Sequence, residues 1–207
     1  MIHQKLIQEF IQKHTKNWFE EDLPQLKEKI SLGLPKMLTD LADSISQVCQ
    51  QASQLQAEGH KGPAAYLCIS YLYTNILENI WEYRLDLYDE GLYFDRKECT
   101  AVWKPELIWD CFAKRLAEVH AAAHTGFYRN KIRPFHLTEI KIGMAEQYHM
   151  ATIMLAQQII EYAIQTPAYQ KLTKTPDFQI IIGEYQDQGL VIHQEQGGDF
   201  GNRIGGE

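Results

Sequence analysis

The apolar stretch at residues 63–80, which reads PAAYLCISYLYTNILENI, decides the fold that the sequence predicts. Pro63 is typical of a first helical turn. The apolar residues that then recur at helical spacing on one face are Tyr66, Ile69, Tyr73, Ile76, Leu77 and Ile80. Further apolar residues fill much of the remaining surface, and a helix that is apolar nearly all round is usually buried. We therefore predict a central third helix.

Amphipathic helices are predicted on both sides of this stretch. The first covers residues 2–18, and a second opens at Asp22 and Pro24 and ends before Gly59. Proline removes a helical hydrogen bond and clashes with the preceding turn, so Gly33-Leu34-Pro35 predicts a kink or break in this second helix. Helix four is predicted from Pro105 to Gly126, and helix five from Leu137 to Gln165.

Two β-hairpins complete the prediction. The first pairs Tyr83–Tyr88 with Leu92–Phe94 around a turn, and the second pairs Phe178–Tyr185 with Leu190–His193. Because an isolated hairpin is marginally stable in water, we expect the two to form one small antiparallel sheet. The predicted fold is α+β and mainly helical, with about five helices. Residues 1–193 form a single domain, and the glycine-rich residues 194–207 form a tail.

Composition excludes several function classes. The chain has 207 residues, 45% of them hydrophobic, and a net charge of −7, which argues against binding to a nucleic-acid backbone. No apolar run approaches the roughly 18 residues of a membrane span, and the N-terminus lacks the apolar block of a signal peptide. The four cysteines have no metal-binding or disulfide spacing and indicate buried free thiols. We expect a soluble, cytoplasmic protein.

Three histidines form a candidate metal site. His120 and His124 are four residues apart on helix four, so both imidazoles can face one ion. His136 follows the next loop and joins them at the same end if helices four and five are antiparallel. However, His120 lies at the border of the apolar stripe of helix four and His124 beyond it, which is equally typical of solvated side chains.

Helix five carries a candidate catalytic pair, Glu146 and His149, in a Glu-x-x-His pattern. His149 lies on a second apolar stripe with Glu146 at its edge, and partly desolvated acid–base pairs of this kind are often catalytic. The alternative is a core histidine held by a nearby acceptor. Tyr71, Thr74 and Glu78, on the predicted third helix, would line a ligand pocket facing this pair, although a solvated face explains them equally well.

The loop before helix five holds the chain's one basic cluster, Arg129, Lys131 and Arg133. Helix N-termini attract anions, so this cluster is a candidate anion-binding site, with a solvated loop as the alternative.

The sequence supports two hypotheses for function. It contains no Walker loop, dinucleotide-binding glycine motif or Gly-x-Ser-x-Gly element. The first hypothesis is an interaction or self-associating module, simplest as a homodimer paired through strand edges. The alternative is a small-molecule or metal-dependent enzyme with a pocket between helices three, four and five. No cofactor is identified, and a membrane or nucleic-acid partner is not expected.

Overall fold

Six helices and five strands follow one another along the residues that the structure, a computed structural model, describes: 2–15, 17–187 and 189–195. The helices are α1 (Ile2–Thr15), α2 (Trp18–Ala57), α3 (Tyr73–Glu78), α4 (Glu106–His124), α5 (Pro134–Ala163) and α6 (Pro167–Lys171). The strands are β1 (Ala64–Tyr71), β2 (Tyr83–Tyr88), β3 (Thr100–Trp103), β4 (Lys174–Glu184) and β5 (Gly189–Gln194). The predicted tail lies outside the described residues from position 196 onward.

The five strands form one mixed sheet in the order β3-β2-β1-β4-β5. β1 lies at its centre, antiparallel to β2 and parallel to β4, and the two outer pairs are antiparallel. Ile69 on β1 is level with Leu85 on β2 and Ile182 on β4, and all three side chains are fully buried. Parallel pairing needs a long crossover between the strands, and α3, β2, β3, α4, α5 and α6 supply it.

The prediction of a central third helix is wrong for most of residues 63–80. Residues 64–71 form β1, and only Tyr73–Glu78 are helical. Leu67 and Ile69 face the helices, while Cys68 and Ser70 face the opposite side of the sheet and are also buried. A strand buried on both faces shows an unbroken apolar run without polar alternation, and such a run also fits a buried helix.

Because residues 64–71 form a strand, the sheet has more strands than the two predicted hairpins supply. The prediction of a mainly helical α+β fold is confirmed, but the sheet is mixed and larger than two hairpins. The second predicted hairpin is present as β4 and β5. In the first, β2 pairs with β3, and Leu92–Phe94 form a 3₁₀ turn instead of a strand. Asp95 holds this turn, because its carboxylate accepts the Asp89 backbone N–H and pairs with Lys61.

Helices α2, α4 and α5 pack against one another, and α2 also contacts β2 and β3 while α5 contacts β5. The apolar stripe predicted for helix four is buried at every position: Ile108, Cys111, Phe112, Leu116, Val119 and Ala123. α2 continues as one helix through Pro35, so of the predicted kink or break the break does not occur. Pro35 and Ser31 are exposed, so water can bond the carbonyl group that proline leaves without a helical partner. No helix among the described residues is long and apolar enough to cross a membrane.

The four cysteines are buried free thiols, as predicted. Burial raises the pKa of Cys49 and of Cys68 to about 12. Because the thiolate is the reactive form, these side chains act as small apolar groups in the core.

Candidate functional site

A groove of about 730 Å³ lies between α4, α5 and the end of α3, and we call it the α4–α5 groove. It is lined by Asn79, Leu116, Ala117, His120, His124, Ile132, Pro134, Leu137, Thr138 and Lys141. Cavities that hold small organic ligands have volumes of roughly 300–1,000 Å³. The α4–α5 groove is therefore large enough for a ligand of that kind.

The connection between α4 and α5 shapes the groove. Gly126 and Asn130 adopt positive φ angles of 52° and 63°, which glycine and asparagine tolerate best. The turn directs Ile132 inward, where it is buried beside Leu116 and Leu137. These three side chains give the groove an apolar floor, while the polar lining residues surround it.

Lys141 is the unusual side chain of the lining. It is only 7% exposed, its Nζ donates to the Leu77 carbonyl oxygen at 2.9 Å, and it lies 5.5 Å from the centre of the Trp81 ring. No carboxylate among the described residues lies within ion-pair distance of Nζ. Burial without such a partner lowers the pKa of Lys141, because desolvation penalises the charged ammonium.

His120 and His124 stand side by side at the same groove, with ring centres 6.4 Å apart. The His124 Nδ1–H donates to the His120 carbonyl oxygen at 2.7 Å, so the other ring nitrogen of His124, Nε2, is not used in this hydrogen bond. Burial lowers the pKa of His120, and repulsion from His124 and Lys141 lowers it further. The three basic side chains therefore line one groove.

The third candidate metal ligand, His136, does not join the other two histidines. It is buried at the start of α5, where its Nδ1 accepts the Arg133 backbone N–H at 3.1 Å, and it does not line the groove. Among the described residues no group of three or more His, Cys, Asp or Glu side chains is arranged to hold a metal ion.

The titratable groups that line the α4–α5 groove are all basic. Its titratable lining residues are His120, His124 and Lys141, and no aspartate or glutamate is among the residues that line it. Pro134 is the first residue of α5, so the positive end of that helix dipole also lies at the groove. In a chain with a net charge of −7, a groove lined by basic groups without a carboxylate favours an anionic ligand.

The candidate catalytic residues Glu146 and His149 are not joined by a hydrogen bond or ion pair in the described structure. Glu146 is exposed, whereas His149 is buried, with its Nδ1 2.7 Å from the Tyr83 hydroxyl and its ring 4.1 Å from that of Tyr71. The Tyr71 hydroxyl in turn donates to Glu184. Burial lowers the pKa of His149 to about 4. His149 thus lies on the buried side of α5, where it contacts Tyr83 and Tyr71 of the sheet.

The candidate pocket residues Tyr71, Thr74 and Glu78 are separated by the change of element after Tyr71. Tyr71 is buried at the end of β1, while Thr74 and Glu78 are exposed on α3. None of the three lines the α4–α5 groove, to which this segment contributes Asn79 instead.

The basic cluster Arg129, Lys131 and Arg133 lies in the connection between α4 and α5. Lys131 Nζ lies 3.3 Å from the centre of the Phe127 ring, and both arginines are exposed. None of the three lines the groove, although their neighbours Ile132 and Pro134 do.

Lys141 was missed by sequence reasoning, although a signal for it was present. It belongs to a row spaced by four residues along α5, which is buried throughout: Leu137, Lys141, Ala145, His149 and Ile153. A lysine at such a position is unusual, because buried charges are rare without a partner.

A second groove, of about 430 Å³, lies between the first half of α2 and α5 and is mainly apolar. Its lining includes Leu26, Ile30, Met154 and Leu155, with Lys27 as its one titratable group. We call it the α2–α5 groove. Substitutions in this groove serve as controls for substitutions in the α4–α5 groove.

Comparison with protein-family models, with curated proteins and with solved structures finds no match to this chain.

Proposed function

We propose that this protein binds a small acidic molecule with an apolar part in the α4–α5 groove. The observation that carries the proposal is the composition of the lining, which combines an apolar floor with basic groups as its only titratable side chains. The floor of Leu116, Ile132 and Leu137 would bury the apolar part of the ligand. His120, His124 and Lys141 would hold its carboxylate, phosphate or sulfonate group.

Each part of the groove contributes differently to binding. Burial of apolar ligand area contributes about 25 cal/mol per Å². A hydrogen bond to a charged group contributes roughly 1.5–3 kcal/mol. Lys141 has two N–H donors beyond the one that bonds the Leu77 carbonyl, and these are available to an anion. Loss of the acidic group should therefore weaken binding by about tenfold or more, because 1.4 kcal/mol corresponds to a factor of ten.

Two fluorescent probes test this proposal directly. Anilinonaphthalene sulfonate carries an aromatic body and an acidic group, and phenylnaphthylamine is the same body without the sulfonate. We expect the sulfonate to bind about tenfold more tightly in a fluorescence titration. Lys141→Met and His120→Gln should remove this preference, whereas Met154→Ser, a matched change in the α2–α5 groove, should leave it intact. Equal affinity for both probes, or a loss caused only by Met154→Ser, would refute the proposal.

Self-association is a second candidate function, and the composition of strand β5 favours it. β5 is an edge strand without lysine, arginine, aspartate, glutamate or proline, and Leu190 and Val191 are 46% and 43% exposed. The opposite edge, β3, has only four residues and is followed directly by Lys104 and Pro105. Lysine, proline and short length are the usual protections against edge pairing. We propose that β5 pairs with β5 of a second copy.

Sedimentation velocity at micromolar concentration tests this second candidate. The wild-type protein should sediment as a dimer, and Val191→Lys should convert it to a monomer by placing charge on the pairing edge. Val102→Lys on β3, at a residue of similar exposure, should leave the dimer unchanged. A monomeric wild-type protein, or dissociation by Val102→Lys alone, would contradict pairing through β5.

A further inference from the structure

We infer that Lys141 forms an imine with an aldehyde or ketone group of the ligand, so that the α4–α5 groove takes an oxo acid. This inference rests on the proposed function, because the acidic group would still be bound in the α4–α5 groove, by His124 and the start of α5, while Lys141 takes the carbonyl group. It adds the chemical class of the ligand and identifies the residue to which the ligand becomes attached.

The surroundings of Lys141 are unlike those of a structural ion-paired lysine. Its side chain is buried, lines the groove, and has the Leu77 carbonyl as the one acceptor within hydrogen-bond distance among the described residues. The centre of the Trp81 ring lies 5.5 Å from the Lys141 Nζ. A carbonyl acceptor bonds a neutral amine as well as an ammonium ion, so the Leu77 contact does not require the charged form. The lowered pKa of Lys141 agrees with this geometry.

Neutral amines are the nucleophiles that attack carbonyl carbons, and apolar burial is an established way to obtain them from lysine. The Lys141 nitrogen forms a bond to the carbonyl carbon, and a proton passes from nitrogen to the carbonyl oxygen. The resulting hydroxyl group then accepts a second proton and leaves as water, the nitrogen lone pair forms the C=N bond of a protonated imine, and the nitrogen returns its remaining proton to solvent. Amine and carbonyl thus give imine and one water, with no oxidant or reductant involved.

His120 is placed to handle these protons. It lines the same groove as Lys141. An imidazole exchanges protons near neutral pH, so it can donate to the leaving hydroxyl group and be reprotonated from solvent. His124 and the start of α5 remain for the acidic group of the ligand.

Reductive trapping tests the inference. The full-length protein is incubated with phenylpyruvate, an aromatic oxo acid, and sodium cyanoborohydride, and adducts are located by peptide mass mapping. We expect the Lys141 peptide to gain the mass of the probe less one oxygen atom, more completely than any other lysine peptide. Lys141→Arg should lose this adduct, and Lys27→Arg, which alters the lysine of the α2–α5 groove, should keep it.

Phenyllactate, which has a hydroxyl group in place of the ketone, separates the inference from the function on which it rests. It should displace anilinonaphthalene sulfonate from the wild-type protein and form no adduct. If phenyllactate displaces the probe while phenylpyruvate labels all lysines equally or not at all, the imine is refuted and the binding function stands. If neither acid displaces the probe, the proposed function fails. Because the wild-type peptide map alone decides the point, the test does not depend on the folding of Lys141→Arg.

Discussion

Acidification should destabilise this fold through His149, the buried histidine that contacts Tyr83. The ordinary histidine pKa of 6.5 falls to about 4 in the folded protein because burial penalises the imidazolium. Between these two pH values the unfolded chain binds a proton that the folded chain does not bind. The stability contributed by the neutral imidazole is therefore complete above about pH 6.5, declines as the pH falls, and is lost at about pH 4.

The size of this effect follows from the difference between the two pKa values. One pH unit corresponds to about 1.4 kcal/mol, so the fall from 6.5 to about 4 amounts to about 3 kcal/mol in the free energy of unfolding. His149 is only 7% exposed, so solvent screening reduces this figure little. Native domains are stable by about 5–15 kcal/mol, which makes the loss large enough to measure.

Urea unfolding at a series of pH values from about 7 to about 4 measures this loss. His149→Asn removes the titrating ring and keeps an oxygen that can accept from the Tyr83 hydroxyl. The wild-type protein should lose about 3 kcal/mol more than this variant over the pH range. His60→Gln, a change at an exposed histidine, should follow the wild-type curve. Equal losses in the wild-type protein and in His149→Asn would refute the assignment of the effect to His149.

Three further predictions concern other parts of the molecule. The affinity for anilinonaphthalene sulfonate should increase as the pH falls from about 6.5 to about 5, because a lowered pKa means that His120 gains its charge below the ordinary histidine value, and a flat profile would exclude that role. Lys61→Met should cost about 3–5 kcal/mol in urea unfolding by leaving Asp95 buried and unpaired. Lys36→Met, in an exposed pair, should cost less than about 1 kcal/mol, and equal costs would contradict this distinction. Tyr83→Phe should cost about 1–3 kcal/mol by removing the partner of a buried imidazole, and an unchanged urea midpoint would contradict it.

The fold was predictable from sequence where polar residues mark one side of an element. α4 shows a single apolar stripe, and β2 alternates Tyr83, Leu85 and Leu87 with polar neighbours, so the period identifies the element in each case. β1 lacks that signal because its second face, with Cys68 and Ser70, is buried as well. Its parallel pairing with β4 joins segments more than 100 residues apart, and no local pattern reports such a contact.

The candidate site was predictable in part for a related reason. His120 and His124 stand out because their spacing of four residues is local information. Their third partner is Lys141 instead of His136, and this depends on the turn at Gly126 and Asn130 and on how α5 packs against α3. Spacing along a helix predicts which side chains share a face. It does not predict which side chain of another element meets them.

A comparison of Lys61 with Lys141, the two buried lysines among the described residues, supports the proposal of a ligand in the α4–α5 groove. Lys61 and Lys141 are 8% and 7% exposed, so desolvation penalises both. Lys61 is compensated within the fold, because it pairs with Asp95 and also donates to the Lys97 carbonyl. Lys141 has only the Leu77 carbonyl among the described residues and lies at a groove where the other titratable groups are also basic. The fold thus supplies a carboxylate to the lysine that has a structural role. Lys141 has no such carboxylate among the described residues, and this difference supports the proposal of a ligand with an acidic or carbonyl group in the α4–α5 groove.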